Sequence, residues 1–111
     1  MVAETADLHA GGVINFSNGT LTADGTAVDV TLGFIPRYVM VFNETDVIKW
    51  EKFRSQAAAN TIKTTNVAVM TKDTGSAILL KGSAATDTYK GFQMSTTLAA
   101  NGKVLHWMAF A

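Results

Sequence analysis

The stretch Gly33-Phe34-Ile35-Pro36-Arg37-Tyr38-Val39-Met40-Val41-Phe42-Asn43 decides how this chain is read. Pro36 fixes its own φ and holds Ile35 extended, so it leads well into a strand but cannot sit inside one. From Tyr38 onward the residues are apolar on both parities: Tyr38, Met40 and Phe42 on one face, Val39 and Val41 on the other. A strand apolar on both faces is a central one, covered from each side. Its counterpart is the C-terminal run, which starts at Gly91-Phe92, passes Asn101-Gly102 and ends in Leu105-His106-Trp107-Met108-Ala109-Phe110-Ala111. So apolar an end requires burial in the chain's own sheet or against a neighbouring subunit.

Short strands extend outward from these two. Asn18-Gly19, between residues 13–17 and 19–22, is a two-residue hairpin signal, and Asp24-Gly25 offers another turn. Residues 26–32 alternate Val28, Val30 and Leu32 with Asp29 and Thr31, the period of a half-exposed strand. After a polar turn at 43–46, residues 47–53 place Ile48 and Trp50 on one face and Lys49 and Glu51 on the other. Residues 61–71, 77–81 and 89–95 read as further strands, separated by turn residues at 73–75 and 82–87. Asn101-Gly102 tolerates the two positive φ angles of a type I′ turn, which would fold the last strand back on residues 96–100. The Ala-rich residues 54–60 read as a helical turn or a loop between sheets. The predicted fold is all-β: a single-domain antiparallel β-sandwich or jelly roll over residues 13–111, with at most one short helical turn. A flexible polar arm over residues 1–12 precedes it. The expected core comprises Phe34, Pro36, Tyr38, Met40, Phe42, Ile48, Trp50, Phe92, Trp107 and Phe110, and the expected turns Asn18, Gly19, Asn101 and Gly102.

Composition narrows the function. The 111 residues make one domain, and the absence of cysteine removes disulfides, thiolate metal sites and cysteine nucleophiles together. Charged residues are only 16% of the chain, nine basic against nine acidic, with 48% hydrophobic residues. A neutral surface with little charge does not keep copies apart, and part of it is expected to be covered by something else. Nucleic-acid binding needs clustered Lys and Arg to displace counterions, and this balance argues against it. No run approaches the length of a membrane span. The start, with Glu4 and Asp7, is acidic where a secretory signal is basic, so synthesis in the cytoplasm is expected and the sequons at Asn18 and Asn43 are chance matches.

Chemistry is thin. His9 stands in the polar arm, and His106 shares a strand face with Val104, Met108 and Phe110, with no second ligand two residues away. Glu44, Asp46 and Glu51 could be imagined as a Ca²⁺ site or an acid–base pair, but a solvated turn with cross-strand ion pairs accounts for them better. Asp24, Asp73 and Asp87 sit among turn formers. The serines have no nucleophile elbow around them, and no glycine-rich phosphate loop opens onto a helix. No enzyme activity and no cofactor are expected. Core packing accounts for most aromatics, leaving Phe53 and Tyr89, at strand ends, as exposed stacking candidates.

The 33–43 strand, followed by Gly91-Phe92 and then Asn101-Gly102-Lys103-Val104-Leu105-His106-Trp107-Met108-Ala109-Phe110, resembles a pattern in small structural proteins of tailed-bacteriophage virions. There a Gly-Phe-x-Pro-x-x-Val strand pairs with a C-terminal Gly-Phe element. Ile48-Lys49-Trp50-Glu51-Lys52-Phe53 and residues 57–63 are similar to the middle of such proteins, so the resemblance covers residues 31–111. It implies a capsid decoration (cement) protein on the virion surface, made in the host bacterial cytoplasm. Its partners would be the major capsid protein and further copies of itself, as a homotrimer, with no nucleic acid and no membrane. The arm, through Glu4, Asp7, Leu8 and His9, would be the partner-binding segment. The alternative is a tail or fibre-associated domain that recognises a host-surface glycan.

Overall fold

The computed structural model describes residues 15–111. The expected arm, with Glu4, Asp7, Leu8 and His9, lies outside the described residues. These form nine strands and no helix: β1 (Phe16–Thr22), β2 (Val28–Thr31), β3 (Tyr38–Asn43), β4 (Ile48–Phe53), β5 (Thr61–Thr64), β6 (Met70–Asp73), β7 (Ile78–Lys81), β8 (Gly91–Met94) and β9 (Val104–Phe110). Sheet A has the order β1-β9-β3-β4-β5-β6 and sheet B the order β2-β8-β7, with every pairing antiparallel. The chain is an all-β antiparallel sandwich. Its division into six and three strands differs from the eight strands and two Greek keys of a jelly roll.

The strand that follows Pro36, β3, is central in sheet A, between β9 and β4. Its two apolar faces have different fates. Val39 and Val41 point inward with Leu105 and Ala109 of β9 and Trp50 of β4, against Phe92, Met94 and Ile78 of sheet B. Ala23, Ala77, Leu98 and Ala99 close the ends of this core. Tyr38, Met40, Phe42 and Phe110 occupy the other face, half-buried, where no strand of sheet B covers them. The expectation that these four are core is therefore corrected. Parity separates two apolar sets but does not say which one meets the second sheet. The smaller valines take the inner position because Trp50, Trp107 and Phe92 already supply the bulk there. Of the other expected core residues, Trp50, Phe92 and Pro36 are buried, Ile48 and Trp107 are half-buried against the core, and Phe34 is half-buried.

Two turn expectations and one strand expectation are also corrected. Asn18 and Gly19 lie inside β1, opposite Met108 and Trp107, rather than at a hairpin tip. A Cβ at Gly19 would come within 2.7 Å of Trp107 Nε1, so the glycine makes room for an indole. That indole stands edge-on to Phe92, centroids 5.4 Å apart. Asn101-Gly102 is a turn, with Lys103 N donating to Ala100 O at 3.2 Å, but only Gly102 has positive φ. One positive φ matches a type II turn, not type I′. Residues 96–100 form no strand, so β9 pairs with β1 and β3 instead. Residues 61–71 are not one strand but most of the β5–β6 hairpin, turned where Thr65 N donates to Val69 O and Ala68 has a φ of 61°.

Residues 54–60 form two successive turns, Gln56 N to Phe53 O and Asn60 N to Ala57 O, rather than a helical turn. Seven residues cannot repay helix nucleation by themselves. Lys52 offers their carbonyls another partner. Its side chain, 2% exposed, donates through Nζ to Ala57 O (2.7 Å), Ala58 O (3.3 Å) and Asn60 O (2.7 Å).

Candidate interaction surface

The outer face of sheet A is not covered by sheet B. Strand register assembles it row by row. Phe16, Phe110, Tyr38 and Phe53 stand abreast on β1, β9, β3 and β4. Their rings meet in sequence: Phe16–Phe110 at 4.9 Å, Phe110–Tyr38 at 6.2 Å and Tyr38–Phe53 at 5.0 Å between centroids. Such tilted contacts stabilise each pair by about 0.5–1.5 kcal/mol beyond area burial. The next row is Asn18, Met108, Met40, Glu51 and Ile62, and the one after it Thr20, His106, Phe42, Lys49 and Thr64. Phe16 is 47% exposed and Phe53 41%, while the side chains between them are half-buried.

Polar groups on this face and in the turns beside it are tied to one another. Tyr38 donates its hydroxyl to Glu51 Oε2 at 2.6 Å, and Lys49 Nζ lies 3.5 Å from Glu51 Oε1. Burial, then the Glu51 bond, pushes the Tyr38 phenol well above its ordinary pKa. His106 lies 2.8 Å from Glu44 Oε1 through Nε2 and 3.1 Å from Thr20 Oγ1 through Nδ1. Asp46 accepts from Lys103 Nζ and Asn43 Nδ2, both at 3.0 Å, and chiefly the Lys103 bond holds its carboxyl below the usual range. Glu44, Asp46 and Glu51 thus sit in three separate pairings. Among the described residues no group of three or more His, Cys, Asp or Glu side chains could hold a metal ion. Asp24, Asp73 and Asp87 each accept from backbone N–H groups of their own turns.

Of the two stacking candidates, Phe53 joins the exposed aromatic row. Tyr89 is half-buried and donates to Asp29 Oδ1 at 2.8 Å. Sequence reasoning passed over Phe16, whose place opposite Phe110 depends on the β1–β9 register. It also passed over a second apolar site at the β5–β6 hairpin, where Val67 is 73% and Met70 68% exposed. Val67-Ala68-Val69 has the composition of a strand interior, so only Asn66 marked the turn. No helix among the described residues is long and apolar enough to cross a membrane. No family model, curated protein or solved structure matches the chain.

Proposed function

We propose that this chain is a structural protein of a tailed-phage virion, a head decoration protein that binds and stabilises the major capsid shell by non-covalent contacts. The observation that carries this reading is the outer face of sheet A, a broad half-exposed apolar surface on a chain of zero formal charge. Contiguous apolar surface of this kind suits a protein partner. Copies without net charge crowd together at little electrostatic cost, as a shell lattice requires. The resemblance of the 33–43 and 91–111 segments to phage virion proteins supplies the setting. Self-association as a homotrimer belongs to the same reading, and it needs no enzymatic step, cofactor, nucleic acid or membrane. The chemistry-bearing side chains described above are engaged in structural pairs, which supports a scaffold rather than a catalyst.

Quantitative mass spectrometry of purified virions tests the assignment. A decoration protein should be present in amounts comparable to the major capsid protein. An amount matching only the tail proteins would overturn the head assignment. It would favour the second reading, a tail or fibre-associated domain that recognises a host glycan. The exposed rings of Phe16 and Phe53 are what favour that reading, since flat aromatic faces can stack on sugars.

A further inference from the structure

A cavity of about 360 Å³ opens between the two sheets, beside the end of β4. Ile35, Leu79 and Leu80 form its apolar wall; Lys52 and Arg54 supply two basic side chains, and among the described residues no acidic side chain lines it. An adjoining cavity is lined by Arg37, Arg54 and Ser55. Lys52 stands in a site only 2% exposed, where its Nζ faces three backbone carbonyls rather than a carboxylate. Arg54 donates through Nη1 to Ile35 O at 3.2 Å, and a guanidinium has further N–H donors to offer. The chemistry that completes this site is a carboxylate flanked by apolar side chains.

The chain contains such a segment. Residues 1–14 hold Glu4 and Asp7 and no Lys or Arg, beside Val2, Ala3, Ala6 and Leu8. The remaining 97 residues therefore carry nine basic side chains against seven acidic ones, concentrating a net positive charge in the described domain. The segment also leaves from the right end of sheet A. Ala111 N donates to Asn15 O, Arg37 N to Phe110 O and Arg54 N to Arg37 O, so Asn15 and Arg54 stand across the same end. Three strand spacings separate them, about 14 Å. Seven extended residues, the separation of Leu8 from Asn15, span up to about 23 Å. Gly11 and Gly12 allow the reversal that the path requires.

We propose that this cavity receives the chain's own N-terminal segment, with Asp7 or Glu4 facing Arg54 and Lys52, and Leu8 against Ile35, Leu79 and Leu80. Charge complementarity and reach carry the inference, which stands apart from the virion reading. Tethering of this kind makes the interaction intramolecular, at an effective concentration in the millimolar range.

Because the chain has no cysteine, Thr5→Cys places a single spin label on the segment of the full-length protein. The expected result is several-fold broadening of the Ile35, Ala58, Leu79 and Leu80 amide resonances, with those of the distant β3–β4 turn unaffected. Glu4→Gln combined with Asp7→Asn, which alters no described residue, should abolish the broadening; so should Arg54→Glu, with core chemical shifts retained. A mixture of spin-labelled chains and isotope-labelled chains should show none. Absent broadening, or broadening indifferent to these substitutions, would overturn the proposal. Broadening only in the mixture would also overturn it, and would assign the cavity to the segment of a second copy.

Discussion

Gly91→Ala should cost roughly 3 kcal/mol or more, a large part of the 5–15 kcal/mol that holds a typical domain together. Gly91 begins β8, pairs with Thr31 of β2 and with Lys81 of β7, and has a φ of 158°. A Cβ there would land on the Val30 carbonyl oxygen, with Leu32 N only 3.1 Å away. Both are backbone atoms of the neighbouring β2 segment, so no rotamer change relieves the clash and β2 must separate from β8. The two sit over the core, where Val30 faces Phe92 across the pair, so the loss spreads inward. Gly33→Ala is the matched control. Gly33 has a φ of 82° but nothing within 4 Å of its would-be Cβ, so only the left-handed conformation is penalised, by about 1–2 kcal/mol. Urea midpoints of the two variants should therefore differ clearly. Equal losses would show that the β2–β8 approach is not the reason for the glycine.

Lys52→Met should cost about 2–4 kcal/mol and release residues 54–60. The substitution fills similar volume but leaves the carbonyls of Ala57, Ala58 and Asn60 facing a thioether. Hydrogen exchange should quicken at Asn60, whose N–H closes the second turn on Ala57 O, while β3 and β9 exchange only in step with global unfolding. The charge leaves its own signature in pH. Desolvation lowers the Lys52 pKa from 10.5, so between the folded value and 10.5 the unfolded chain binds more protons. Stability attributable to Lys52 therefore rises with pH through that window. Tyr38 and Tyr89, whose phenols are raised by burial first, impose the opposite slope, but they are common to both chains and cancel in the difference. The stability difference between wild type and Lys52→Met should widen towards pH 10.5. A pH-independent difference would show that Lys52 titrates as freely as an exposed lysine.

The strands were legible where periodicity or an obligatory breaker marked them. Pro36 announced β3, the alternation of Val28 and Val30 announced β2, and the apolar run at the C-terminus announced β9 as a strand, though not its place between β1 and β3. What escaped depended on pairing. Asn18-Gly19 has the composition of a hairpin turn, and only the presence of Trp107 opposite explains a glycine within a strand. The apolar set Tyr38, Met40, Phe42 and Phe110 was visible, but its exposure arises because sheet B packs on the opposite face of sheet A, a choice that parity alone does not make. The outer-face surface was therefore present in the sequence as residues and absent as a site. Lys52 was hidden by its charge: in Lys49-Trp50-Glu51-Lys52 it reads as one half of a solvated charge pattern, although its parity with Ile48 and Trp50 already placed it on the inner face.

The central claim, that the outer face of sheet A seats this protein on a capsid shell, is tested most directly by an image reconstruction of the intact virion. It should place the nine-stranded sandwich on the head. Phe16, Tyr38, Met40, Phe53 and Phe110 should be buried against the major capsid protein or a neighbouring copy. Density confined to the tail, or a head position with that face turned to solvent, would contradict it.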